Sequence, residues 1–326
     1  MAPRVQIRKA LAPSPEFFPS GCSLLDLALG GGWGKGRVIN IVGDTSSGKT
    51  LLAIEASAQF CRLWPEARVC YIDAEAAFDR SYAEGLGLPS SVDLVQDIDT
   101  LEGFFARLEA FLADSSGPSL FILDSIDALT TEAEQSREVG KEGYGISKAK
   151  QLSLLFRRQI RTISEKNCTL ILISQVRDRI GVLFGDTKTK SGGHALDFFS
   201  SQIVWLSEVG KIERTIKGQK RKVGIRVRAR VKKNKLGPPF REAEFQLLFG
   251  YGVDDELSML DWLEDYKILS QEELAAYAKR LKEARTKKDR AEAGRIREEL
   301  LSLVKKTWAD IEEAIAPPMR KYDSGT

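Results

Sequence analysis

Four short runs of apolar, branched residues punctuate the first half of the chain: RVINIV at 37–42, RVCYID at 68–73, LFILD at 120–124 and TLILIS at 169–174. Continuous rather than alternating, they predict strands buried on both faces of a parallel sheet. Helical patterns lie between them, at 51–63, 101–113 and 147–166. Strand–helix–strand repetition of this kind implies right-handed crossovers and a doubly wound α/β core. The stretch VGIRVRARV at 223–231 has a period of two, with Arg226, Arg228 and Arg230 on one side and aliphatic residues on the other. EAEFQLLFG follows after GPP, so antiparallel strands extend the parallel sheet. After about Asp254 the period changes to helical. Ser270 and Glu273 form a capping box, and Leu274, Tyr277, Leu281, Ile296, Leu300, Val304, Trp308, Ile311 and Ile315 recur at helical spacing. Gly294 is the expected break between two helices. The expected division is an arm over 1–18, an α/β core over 19–256 and a helical C-terminal domain over 257–326.

Composition narrows the classes. A chain of 326 residues, 43% hydrophobic and 29% charged, is long enough for a sizeable core without disulfides or structural metal. Cys22, Cys61, Cys70 and Cys168 form no C-x-x-C pair, and His194 is the single histidine. Zinc sites and a Ser–His pair are therefore disfavoured. No apolar run reaches membrane-spanning length and residues 1–12 lack an apolar h-region, so the expectation is a cytoplasmic protein with no membrane partner. The net charge of +3 hides an uneven distribution, because residues 211–241 hold thirteen basic residues and one acid, Glu213. Such an excess faces a polyanion or acidic surface, or else solvates an edge strand.

The chemistry starts at GDTSSGKT, from Gly43 through Asp44, Thr45, Ser46, Ser47, Gly48 and Lys49 to Thr50, with Leu51 next. It follows an apolar run and opens a helical one, the context a G-x-x-x-x-G-K-[ST] phosphate loop requires. Its backbone amides wrap phosphates, Lys49 reaches the β- and γ-phosphates, and Thr50 ligates Mg²⁺ of a bound ATP. Asp124, ending LFILD, is the expected partner of that metal. Glu75 in YIDAE sits at another strand end, where a carboxylate can deprotonate an attacking water. Spacing does not choose among Asp73, Glu75 and Asp79.

Together these segments resemble the RecA/recombinase family. Its motifs appear in order as SGCSLLDLALGGG, GDTSSGKT, YIDAE with DRSYAEGLG, FILDSIDAL, ISQVRDRIGVLFG, KSGGHALDFF and VKKNKLGPPFREAEFQLLFGYG. The resemblance implies a RecA-like P-loop ATPase core that binds ATP and Mg²⁺, with Glu75 as catalytic carboxylate. It implies adenine-side roles for Asp79 and Tyr82, a γ-phosphate-sensing role for Gln175, and a nucleotide-closing segment at Tyr251 and Gly252. Lys233 and Lys235 match lysines that reach the neighbouring subunit's ATP. Two loops match DNA-contacting loops: one over 135–145 with Tyr144 and Gly145, and Lys148 just beyond it; the other over 176–193, with Arg177, Arg179, Phe184, Lys188, Lys190, Gly192 and Gly193. The implied function is a DNA-dependent ATPase that forms a homo-oligomeric helical filament on single-stranded DNA, with ATP between subunits, and exchanges strands with double-stranded DNA. A ring-forming motor or helicase and a non-catalytic mediator paralogue are the alternatives on this fold.

The chain departs from the family pattern in several places. Its leading arm is short, His194 and Asp197 stand where Asn and Lys are common, and Tyr144 stands where Met is common. The C-terminal region is helical and carries Arg280, Lys282, Arg285, Lys287, Lys288 and Arg290 in place of an acidic tail. That cluster either binds duplex DNA or is a solvated helix whose cations pair with interleaved acids.

Overall fold

A computed structural model describes residues 16–76, 78–135, 144–178, 188–190 and 193–316. In chain order the elements are β1 (Phe17–Phe18), α1 (Ser23–Leu29), β2 (Trp33–Gly34), β3 (Val38–Gly43), α2 (Lys49–Leu63), β4 (Arg68–Asp73), α3 (Arg80–Gly85), β5 (Asp93–Val95), α4 (Leu101–Ala113), β6 (Ser119–Asp124) and α5 (Glu132–Gln135). They continue as α6 (Tyr144–Glu165), β7 (Cys168–Asp178), β8 (Lys188–Lys190), α7 (Gly193–Phe199), β9 (Gln202–Ile216), β10 (Gln219–Asn234), β11 (Glu242–Leu248), β12 (Gly252–Asp254), α8 (Asp255–Asp265), α9 (Gln271–Lys287) and α10 (Arg290–Ile315).

The main sheet runs β12-β11-β10-β9-β3-β7-β6-β4-β5, with β8 paired to β7. From β9 to β5 every pairing is parallel, and from β9 outward to β12 every pairing is antiparallel. The parallel half follows from the continuous apolar runs: every residue of β3 and of β6 is buried. α4, capped by Thr100 accepting from the Gly103 amide at 3.1 Å, packs Phe104, Phe105 and Phe111 in one cluster with Phe121 of β6 and Phe156 of α6. These rings meet edge-on at centroid separations of 5.0 to 6.0 Å, the favoured aromatic arrangement. A second cluster joins Phe18 to Phe60 and Trp64 around α2. Phe17 and Phe18, assigned to the arm by the sequence pattern, thus form β1, antiparallel to β2, with Phe18 buried.

The chain divides into two compact units, with the division between Asp255 and Glu256. In the second unit Trp262 stacks on Trp308 at 5.9 Å, and Leu281, Ala284, Ile296, Leu300 and Val304 are buried. The capping box at Ser270 and Glu273 is present. The helix break falls at Lys288, in the left-handed region with φ of 55°, and not at Gly294. Asp289 then caps α10, its Oδ1 accepting from the amides of Ala291 and Glu292 at 3.1 and 3.0 Å. Gly294 lies inside α10, where a Cβ would meet open space.

Candidate nucleotide site

The strand register assembles the site. β3 ends at Gly43, which pairs with Gln175 on one side and Leu206 on the other. Beside β7, β6 ends at Asp124, which pairs with Asp73 of β4. The carboxyl ends of four strands therefore deliver the phosphate loop, Gln175, Asp124 and Asp73 to one edge of the sheet, where ligands of open α/β sheets bind.

The loop itself is tightly constrained. A Cβ at Gly43 would lie 2.4 Å from Ser47 Oγ and 2.8 Å from the Leu206 carbonyl oxygen. Gly48 has φ of +90°, and a Cβ there would come within 2.2 Å of Leu247. Only glycine permits this path. Lys49 is buried and its Nζ donates to the Asp44 carbonyl at 2.7 Å. Burial pulls the lysine pKa down, against the upward pull of Asp124, Glu75, Asp127 and Asp44. Ser47 Oγ is buried without a hydrogen-bond partner among the described residues. A polar atom left unmatched inside a ring of amides at a helix N-terminus fits a phosphate-bearing ligand.

Thr50 Oγ1 donates to Asp124 Oδ2 at 2.6 Å, and the Tyr71 hydroxyl donates to the same oxygen at 2.8 Å. Burial raises the Asp124 pKa, while these two hydrogen bonds hold it down. The hydroxyl–carboxylate donor set of Thr50 and Asp124 suits Mg²⁺, a hard cation that takes oxygen ligands.

The three acids that spacing left equivalent are now distinct. Asp73 Oδ2 accepts from the Phe78 amide and Gln96 Nε2 at 2.8 and 2.9 Å, which shapes the loop after β4. Asp79 caps α3, its Oδ1 accepting from the Tyr82 amide at 3.1 Å. Glu75 Oε1 instead accepts from Ser125 Oγ at 2.8 Å and from Gln175 Nε2 at 3.1 Å. The Gln175 amide donates to Asp127 Oδ2 at 2.7 Å. Ser125, Asp127 and Tyr71 were missed in the sequence; the run DSID directly after the β6 apolar residues was the signal available for the first two, and the YIDAE run for Tyr71.

The remaining positions fall in three places. Leu51 continues α2, and Tyr82 and Tyr251 are both about half exposed, at 55% and 54%. Gly252 opens β12 with φ of +104°, and a Cβ there would lie 2.4 Å from Glu55 Oε1. Glu55, on α2, accepts from the Val253 amide at 3.2 Å, and burial raises its pKa to about 7. β12 is thereby held to the helix that carries Lys49 and Thr50.

Lys233 lies elsewhere. It pairs with Ile203, which pairs with Asn40, toward the opposite end of β3 from Gly43. Two strand spacings and three residue rises put the Lys233 and Gly43 backbones about 14 Å apart, beyond a lysine's reach to phosphates held by its own chain. Its Nζ donates to the carbonyls of Asp197 and Phe198 at the end of α7. Lys235, whose amide donates to the Ser201 carbonyl at 2.9 Å, lies farther still along the same path.

Of the positions expected on the DNA loops, Tyr144 and Gly145 open α6, and Lys148 Nζ donates to the Leu129 carbonyl. The second loop begins and ends as strand: Val176 pairs with Lys190, Arg177 with Thr189 and Asp178 with Lys188. β7 runs on past Gln175 because an antiparallel partner returns to satisfy its backbone. Gly193 opens α7. Arg179, Phe184 and Gly192 lie outside the described residues.

Compared with known proteins, residues 6–254 match the family model described as the RecA N-terminal domain. The chain belongs to the RecA family. Among its relatives, the chloroplastic DNA repair protein recA homolog 1 of Arabidopsis thaliana is 39% identical over 254 residues, 78% of this chain and 56% of the relative. Protein RecA of Gloeothece citriformis is 37% identical over 256 residues, 78% of this chain and 70% of that protein. Protein RecA of Prochlorococcus marinus strain MIT 9303 is 39% identical over 250 residues, 77% of this chain and 64% of that protein. The chain thus spans a little over half to about two thirds of the RecA relatives it matches. The family match ends at residue 254, next to the boundary between the two units. Among the described residues no helix is long and apolar enough to cross a membrane.

Proposed function

We propose that this chain is an ATP-dependent DNA recombinase that assembles as a filament on single-stranded DNA, pairs it with homologous double-stranded DNA and exchanges strands. The observation that carries the reading is the Glu75–Gln175 contact: the side chain touching the candidate base belongs to the residue before the β7–β8 hairpin. Occupancy of that hairpin by DNA and the state of the nucleotide would therefore be felt by one residue. The relatives' names, a DNA repair protein and Protein RecA, support the recombinase over a ring motor or a mediator.

In this reading the loop from Gly43 to Thr50 with Leu51 holds the phosphates, Lys49 neutralises them, and Thr50 and Asp124 hold Mg²⁺. The metal would supply charge neutralisation on the phosphate oxygens. Glu75, oriented by Ser125, takes the proton of the attacking water. Asp79 and Tyr82 on one side and Tyr251 with Gly252 on the other enclose the base. Lys233 and Lys235 act on the ATP of the next subunit, so nucleotide sits between subunits; head-to-tail contacts that do not close form such filaments. Tyr144, Gly145 and Lys148, with the loop from Arg177 through Arg179, Phe184, Lys188, Lys190 and Gly192 to Gly193, face DNA. Residues 19–256 would form the working core, with an arm before it and a helical domain after it. The free cysteines suit a reducing compartment, the cytoplasm.

Glu75→Gln tests the reading. It should retain ATP binding, lower DNA-stimulated hydrolysis by about 10²- to 10⁴-fold and give filaments that persist in electron micrographs. Wild-type turnover in that variant would remove Glu75 from the mechanism. Small oligomers or rings of the wild type on single-stranded DNA with ATP would remove the filament.

A further inference from the structure

β7 changes partners at Gln175. On one side, Val42 and Gly43 of β3 still face Ser174 and Gln175. On the other side the pairing with β6 ends earlier, at Leu172, and β6 itself ends at Asp124. From Val176 onward β7 pairs with the returning strand β8. The backbone groups of β7 that β6 no longer meets need other partners. Ile173 finds one in the chain just after β6: its carbonyl accepts from the Ile126 amide at 3.0 Å. Two residues on, and so on the same edge, the Gln175 amide donates to Asp127 Oδ2 at 2.7 Å. A carboxylate thus stands in for a strand at the last residue before the β7–β8 hairpin.

Asp127 belongs to a tight turn, closed by the Ala128 amide donating to the Ser125 carbonyl at 3.2 Å. The same turn supplies Ser125 Oγ, which donates to Glu75 Oε1 at 2.8 Å. That oxygen also accepts from Gln175 Nε2 at 3.1 Å. One turn therefore grips both members of the Glu75–Gln175 contact. Gln175 is itself held twice, through its main chain by Asp127 and through its side chain by Glu75. The main-chain bond is the shorter, and breaking it takes a backbone movement, whereas the side-chain bond breaks by rotation of the side chain alone. With the amide pinned, displacement of the hairpin pivots about residue 175 and is delivered to its side chain. Without the pin, rotation of the peptide absorbs the displacement.

We propose that Asp127 is a positioning residue, pinning the Gln175 backbone so that movement of the β7–β8 hairpin is passed to the Gln175 side chain and from there to Glu75. The role rests on the recombinase reading, in which that hairpin meets DNA and Glu75 takes a proton from water. Asp127 also acts on Lys49: burial lowers the lysine pKa, and Asp127 is among the acids that pull it back up. A carboxylate that only balanced Lys49 would act on nucleotide binding. One that pins Gln175 acts on the response to DNA.

The test compares Asp127→Ala, Asp127→Ser and Asp127→Asn in the full chain. Asparagine keeps an oxygen for the Gln175 amide. Alanine has none, and serine, too short to reach, replaces it if the alanine variant melts lower than the wild type. ATP turnover is measured with and without oligo(dT). In the alanine and serine variants the ratio of the two should fall by about tenfold, the worth of one hydrogen bond to a charged group, while the KM for ATP moves by less than about threefold. Asparagine should bring the ratio back to within about threefold of the wild type. Amide hydrogen exchange of the peptide spanning 173–178 reads the pin directly, and should be at least about tenfold faster with alanine or serine and near wild type with asparagine. A wild-type ratio in the alanine variant, a KM that rises as far as turnover falls, or an asparagine variant no better than alanine would each overturn the role. A wild type that oligo(dT) does not stimulate would instead remove the recombinase reading, and hydrogen exchange would still decide whether Asp127 pins Gln175.

Discussion

The two halves of the main sheet use charge in opposite ways. At the carboxyl ends of β3, β4, β6 and β7 the charged groups are close together and each held by a named partner: the buried Lys49 by the Asp44 carbonyl, the buried Asp124 by Thr50 and Tyr71, and the exposed Glu75 by Ser125 and Gln175. On the antiparallel side, β9 and β10 carry exposed cations, and Lys233 and Lys235 sit far from the loop of their own chain. The difference teaches a division of labour. Preorganised groups around the buried Lys49 and Asp124 suit chemistry on a ligand held by the chain itself, because fixed dipoles and charges are worth most where water is excluded. Exposed cations suit partners that arrive from outside.

The strongest way to break this comparison is at the shielded end. Lys49→Ala leaves Asp124, Glu75 and Asp127 without the cation among them, and turnover should fall by about 10³-fold with nucleotide binding lost. A variant that still binds ATP in equilibrium dialysis would deny the loop its central role. Next, Lys233→Ala or Lys235→Ala should lower turnover of the assembled protein by roughly 10- to 100-fold and leave the nucleotide affinity of the isolated chain within about twofold. Mixing either with Glu75→Gln subunits should restore activity, because each partner supplies what the other lacks across one interface. Absence of recovery on mixing would return the lysines to their own chain.

The smallest effect belongs to Glu55, where α2 of the parallel half meets Val253 of the antiparallel half. Its pKa is raised to about 7, first by burial and then by Asp255, while the Val253 amide opposes the rise. A raised folded pKa means that the folded state binds the extra proton. The stabilisation is thus fully present below about pH 4.5 and is lost as pH rises to about 7. After discounting for partial solvent access, the loss should be about 2 kcal/mol, measured by urea unfolding across that range. Glu55→Gln keeps an oxygen for Val253 and should flatten the profile; an unchanged slope would assign the pH dependence elsewhere.

Much of the parallel half was legible in the residues. RVCYID and the helix at 101–113 have the same limits in the sequence pattern and the fold, because abrupt polar residues and a Thr100 cap bound their apolar content. The phosphate loop was legible for the same reason: its residue types admit few other conformations. The helix break was not, since Lys288 in a left-handed conformation looks like any other lysine in a charged run. Nor could spacing separate Glu75 from Asp73 and Asp79, three acids within seven residues of one another. What separates them is the company each keeps: a loop amide, a helix cap, or Gln175 arriving from a strand distant in sequence.

The place of β3 in the sheet bears on how the protein is made. Val38 pairs with Leu170 on one side, and Ile39 with Gln202 on the other. Roughly 130 residues must be translated before the first of these partners leaves the ribosome, and at about 5–20 residues per second the wait is on the order of ten seconds. During that time the strand bearing the phosphate loop has an apolar run and two open edges. β4 and β6 lie much closer together in the chain and find each other sooner. Nascent chains stalled before β7 should accordingly be the ones that engage chaperones and aggregate, while those stalled past β9 should bind nucleotide.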